Sequence, residues 1–105
     1  MQESQIILYT TPKGDVKVEI RFEDETFWLT QKKIAELFGV DVRTVNEHLK
    51  NIFESGELQR EATIRKIRIV QQEGNRQVSR ELDFYNLDAI IAVGYRVNSY
   101  NATQF

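Results

Sequence analysis

The amino-acid sequence predicts an α+β fold, and three observations carry that expectation. From Thr30 to Phe53 apolar residues recur at helical spacing in two short runs separated at Gly39. Two other stretches, Gln5 to Phe22 and Thr63 to Phe84, alternate apolar with polar residues around turn-forming sequences, as strands do. Between Asn86 and Val97 the chain is apolar at nearly every phase, which marks a helix that must be covered.

The first stretch reads as a β-hairpin. Ile6 and Leu8, then Val16, Val18, Ile20 and Phe22, alternate with polar residues about the turn Pro12-Lys13-Gly14-Asp15, so that Lys17, Glu19 and Arg21 meet water. The acidic run Glu23 to Glu25 makes a second turn, and Phe27, Trp28 and Leu29 form a short strand leading into the first helix. An aromatic residue placed just ahead of a helix usually staples it to the body, so Trp28 is assigned to the core rather than to stacking on a base.

The next stretch, TQKKIAELFGVDVRTVNEHLKNIF, predicts two helices joined by a tight turn. Thr30 is a good N-cap, and Ile34, Ala35, Leu37 and Phe38 form one apolar face. Gly39 stands where the first helix must stop and a positive φ is welcome, and Asp41 caps the second helix. On that second helix Val42, Val45, Leu49, Ile52 and Phe53 fall on the buried side, which turns Arg43, Thr44, Asn46, Glu47 and Lys50 outward. Small Ala35 lies where the helices cross, and its spacing to Gly39 and Val45 is that of helix-turn-helix motifs that read DNA.

After Ser55-Gly56-Glu57-Leu58 an irregular stretch runs to about Ala62, with no linker-like composition. A second hairpin follows: Thr63 to Gln71, a turn at Glu73-Gly74-Asn75, then Gln77 to Phe84 with Val78, Leu82 and Phe84 on one side. A hairpin directly after a helix-turn-helix is the wing of a winged helix. The expected whole is therefore a winged helix-turn-helix with an additional N-terminal β-hairpin and a C-terminal helix, occupying residues 1–105 as one domain.

This pattern predicts binding to double-stranded DNA. Arg43 and Asn46 suit base edges, since each makes bidentate pairs with guanine or adenine, while Thr44 and Lys50 extend the same face and Gln31, opening the first helix, meets phosphate. On the wing, Lys66 and Arg68 alternate with Ile67 and Ile69, and Arg76 stands at the turn, so these three are assigned to the phosphate backbone. The net charge is −2, which as an average argues against nucleic acid. Its distribution argues otherwise: acids dominate up to Trp28, whereas from Arg65 to Arg80 there are Arg65, Lys66, Arg68, Arg76 and Arg80 against Glu73. Two competing readings stand beside this one. Charged residues on an edge hairpin also guard against aggregation, and Glu36, Glu47, Glu54 and Glu57 on the helices would suit a winged helix that binds protein.

Composition narrows the remaining classes. With 41% hydrophobic and 29% charged residues, and no apolar run approaching the roughly 20 residues of a membrane span, a soluble protein is expected. MQESQIILYT lacks the basic n-region and long h-region of a signal peptide, so the expected place is the cytoplasm. There is no cysteine and one histidine, which removes thiolate nucleophiles, sulfur zinc sites and His-rich metal sites. The five glycines are isolated rather than gathered into a phosphate loop, Asp83 and Asp88 do not make a catalytic pair, and His48 falls near Val45, Leu49 and Ile52 as a half-buried structural residue. No enzyme, cofactor or metal is expected.

Several of these segments resemble one family over the length of the chain. Trp28-Leu29-Thr30-Gln31, Leu49-Lys50-Asn51-Ile52-Phe53, and Tyr85-Asn86-Leu87-Asp88 with Val93-Gly94-Tyr95-Arg96 look like the N-terminal part of the RhuM family of bacterial virulence-associated and phage-related proteins. The resemblance implies a DNA-binding or regulatory module of mobile elements, in a longer chain whose C-terminal region continues past Thr103-Gln104-Phe105; it implies no catalytic residue. A homodimer is expected through the 86–97 helix, where Leu87, Ile90, Ile91, Val93, Tyr95 and Val97 exceed the needs of one small core, assisted by the edge strand Gln5 to Tyr9. The alternative cover for that helix is the C-terminal domain of the same full-length chain.

Overall fold

The computed structural model describes residues 5–10 and 17–103. The turn assigned to Pro12-Lys13-Gly14-Asp15, with Val16, lies outside the described residues.

The fold is α+β. Strands β1 (Gln5–Thr10), β2 (Lys17–Glu23) and β3 (Thr26–Trp28) form an antiparallel sheet in the order β1-β2-β3. Asp24 and Glu25 take φ of 55° and 63° in the two-residue turn from β2 to β3, the backbone signs of a type I′ hairpin. Val18 is fully buried and Ile20 and Phe27 pack against the core, on the opposite face from Glu19 and Arg21. Ile6 and Leu8 are not on that buried face. They pair with Arg21 and Glu19, and stand 56% and 62% exposed, because β1 pairs so that Ile7 lies opposite Ile20.

Helices α1 (Gln31–Phe38) and α2 (Val42–Glu54) follow with the caps the sequence predicts. The Thr30 hydroxyl accepts from the Lys33 N–H at 3.3 Å, Gly39 ends α1 with φ of 67°, and the Asp41 carboxylate accepts from the Arg43 N–H at 2.8 Å. Ile34, Ala35, Val45, Leu49 and Ile52 are buried. Val42 is not: as the first residue of α2 it lies outside the helix crossing and is 42% exposed.

The stretch expected to be irregular contains a one-turn helix, α3 (Arg60–Thr63). It is held by the Thr63 hydroxyl, which donates to the Gln59 carbonyl at 2.6 Å. From it runs the long hairpin β4 (Ile64–Glu73) and β5 (Arg76–Tyr85), with Gly74 at φ 62° in its two-residue turn. The base of the hairpin is tied to the chain just ahead of α1, since Leu29 and Tyr85 exchange both backbone hydrogen bonds, at 3.0 and 2.8 Å.

Helix α4 (Leu87–Thr103) closes the core. The Asn86 side chain caps it, accepting from the Ala89 N–H at 3.2 Å. Ala89, Ile90, Val93 and Val97 are buried against the core, so the apolar surplus expected on this helix is smaller than the sequence implies. A Cβ at Gly94 would come within 2.7 Å of the Phe38 ring, which is how closely α4 meets α1. Of the α4 residues expected to be available for dimerisation, Ile91 and Tyr95 remain, 59% and 75% exposed, and on β1 Ile6, Ile7 and Leu8 are exposed as well. Among the described residues no helix is long and apolar enough to cross a membrane.

Candidate nucleic-acid interface

Helix α2 divides cleanly. Val45, Leu49 and Ile52 point into the core, and Arg43, Asn46, Glu47 and Lys50 form an exposed stripe on the other side, with Thr44 half-buried at its edge. The stripe from Arg43 to Lys50 is about 10 Å long at 1.5 Å per residue, the reach of a few base pairs. Its charges alternate in sign, because Glu47 and, one turn past Lys50, Glu54 share it.

Gln31 does something the sequence did not indicate. Its side-chain amide donates to the Tyr85 hydroxyl at 3.0 Å and to the Asn46 Oδ1 at 3.3 Å. It therefore braces α1 against both α2 and β5 and orients Asn46. That leaves the Asn46 amide N–H groups and one lone pair of Oδ1 outside this bond. Gln31, Asn46 and Lys50 line one groove between α2 and the base of β5, together with Arg60, Asp83 and Tyr85. Arg60 lies 4.8 Å above the Phe53 ring, a contact that holds its guanidinium beside that groove. Neither Arg60 nor Tyr85 was nominated from the sequence; α3 is too short to leave a periodic signal, and the Gln31–Tyr85 bond spans 54 residues.

Several basic residues of the hairpin have partners within the chain. Lys66 and Arg68 share one face, opposite Asp83 and Glu81 respectively. Lys66 Nζ meets Asp83 Oδ1 at 2.9 Å, and this hydrogen bond raises the Lys66 pKa. Arg68 donates to the Ser79 hydroxyl at 3.2 Å. Arg80 holds Glu73 through both its Nε and Nη2, at 3.1 and 2.7 Å. Arg65 faces the other way: it lies 4.5 Å from the Trp28 ring centroid and pairs with Glu23 at 2.9 Å and with Asp24. Alternation along β4 sends Arg65 inward to the N-terminal sheet and Lys66 and Arg68 outward. Arg76 stays exposed next to the turn.

His48 sits half-buried on α2 beside α4. Burial lowers its pKa, and the nearby positive charge of Arg96 lowers it further against a smaller opposing effect of Glu47.

Residues 62–105 match the family model of the virulence protein RhuM family. The RhuM match covers the hairpin and α4, that is, the C-terminal part of the chain. It is narrower than the whole-chain resemblance, and α1 and α2 lie outside it. No curated protein and no solved structure is found to match the chain.

Proposed function

We propose that this chain is a duplex-DNA-binding module without chemistry of its own, which lays the exposed stripe of α2 in the major groove and the β4–β5 hairpin along the phosphate backbone. The observation that carries the reading is the stripe itself: Arg43, Asn46 and Lys50 stand clear of a fully packed opposite face, and a long hairpin bearing Lys66, Arg68 and Arg76 rises beside them. The antiparallel bridge from Leu29 to Tyr85 supports a winged-helix arrangement, since it joins the segment ahead of the helix-turn-helix to the base of the hairpin. Two copies of the chain would read half-sites about one helical turn apart, and the resemblance to RhuM proteins favours transcriptional or mobile-element regulation in the cytoplasm.

Fluorescence anisotropy of a labelled random-sequence duplex, titrated at low salt and again at rising salt, tests the reading. Binding that weakens steeply with salt is expected. No binding at low salt would overturn it. A second reading has a specific observation behind it: Glu47 and Glu54 on the α2 stripe, with the Lys66–Asp83 and Arg80–Glu73 pairs on the hairpin, reduce the positive field and suit a protein partner.

A further inference from the structure

Among the described residues, docking of α4 leaves a strip of the helix uncovered. Ile91 and Tyr95, one turn apart, are 59% and 75% exposed, and they border a groove between α2 and α4 that also takes in Asp88, Ala92 and Arg96. Two large apolar side chains adjacent on an exposed helix make a ridge that water penalises. The charges on the strip have a pattern of their own. Asp88 lies four residues before Ala92 and Arg96 four residues after it, so opposite charges stand about 6 Å along the helix on either side of a small side chain.

We propose that this strip is a two-fold contact between two copies of the chain, α4 packed antiparallel on α4 with the axis passing near Ala92. Under that rotation Asp88 comes level with the partner's Arg96, and Arg96 with the partner's Asp88. Ile91 inserts between the partner's Ile91 and the partner's Tyr95, and Ala92 allows the helices to approach. A parallel pairing would instead set like charges side by side. The pattern is thus complementary to itself, which is what a two-fold interface requires and what an unrelated partner does not. Within its own chain Arg96 already meets one acid, its Nη2 lying 3.6 Å from Glu57 Oε1 across the groove, and the partner's Asp88 adds a second. The contact gives residues to the two-copy form of the proposed DNA reader, yet it is measured without DNA, so either can fail alone.

Sedimentation velocity of the chain at micromolar concentration is expected to show a dimer. Asp88→Arg and Arg96→Asp should each weaken self-association about tenfold or more, by facing like charges across the axis twice. Mixing the two variants should restore a dimer, because each then offers the charges the other lacks. Ile91→Asp should abolish it with the circular dichroism spectrum retained. Asp88 and Ile91 are exposed, so their variants decide the question even if Arg96→Asp, placed beside Glu57, fails to fold. A wild-type monomer, a dimer that survives Ile91→Asp, or a mixture no more associated than its folded components would each overturn the proposal.

Discussion

Asp83 holds Lys66 at 2.9 Å on the outer face of the hairpin, and releasing that lysine is the sharpest test of whether the hairpin meets phosphate. Asp83→Asn removes the carboxylate and keeps the shape. The pair is exposed, with side-chain exposures of 66% and 43%, so the thermal unfolding temperature should hardly move. Its hydrogen bond raises the Lys66 pKa from the ordinary 10.5, so the stability it lends is fully present below that value and lost only as the pH rises through the folded one; at neutral pH the lysine is charged with or without Asp83. What changes is its freedom to replace counterions. One added phosphate contact steepens the salt slope by about 0.9, so between 50 and 200 mM salt the variant should lose about 3.5-fold more affinity than the wild type, after binding on the order of tenfold tighter at the lower salt. Anisotropy titrations of a random duplex at several salt concentrations read both quantities. In the double variant Asp83→Asn with Lys66→Gln the gain should vanish, which separates release of the lysine from simple loss of an acid. Unchanged affinity and slope in Asp83→Asn would refute the placement of this hairpin face on the backbone.

That hairpin also shows where the sequence is legible and where it is not. The turn at Gly74-Asn75 sets the pairing of the two strands, and the pairing sets Lys66 against Asp83 and Arg68 against Glu81. Both acids lie just beyond the basic run, so counting charges along the chain misses a neutralisation that happens across it. Helix ends were readable for the opposite reason: Thr30, Gly39 and Asp41 act on backbone groups within four residues of themselves. The burial of Trp28 was readable, but its partner Arg65 and the acids of the β2–β3 turn come from elements far apart in sequence. Ile6 and Leu8 illustrate a third limit. Alternation tells which residues share a face and not which face is covered, and the pairing of β1 with β2 decides that. For α4 the apolar count was right but the share buried within one chain was not legible, because Gly94 lets the helix sink onto Phe38 and bury Ile90, Val93 and Val97, leaving Ile91 and Tyr95 exposed.

The other expectations concern the helices and the hairpin tip. Arg43→Ala should cost roughly 1 to 3 kcal/mol on a cognate site and less on random duplex, measured by anisotropy; equal losses on both would confine Arg43 to the backbone. Charge reversal at Arg76 should weaken binding to all sequences and flatten the salt slope by close to one unit per lost phosphate contact, and an unchanged slope would take the hairpin tip off the DNA. His48 has a lowered pKa in the folded chain, so protonation favours the unfolded state: stability should fall as the pH drops below the ordinary 6.5 toward the folded value, and the wild type should lose more than His48→Gln between pH 7.5 and 5.5 in urea titrations. Equal losses would leave His48 out of the balance. Gly94 closes the set, because two opposed effects meet there. Alanine in a helix interior is favoured over glycine by about 1 kcal/mol, but its Cβ would lie 2.7 and 2.9 Å from two carbons of the Phe38 ring, and overpacking of that kind costs about 1 to 3 kcal/mol. Gly94→Ala should therefore destabilise the wild type by about 1 kcal/mol while stabilising a Phe38→Leu background, where the ring is gone and the propensity gain remains. The same effect in both backgrounds would mean that Phe38 is not what Gly94 makes room for.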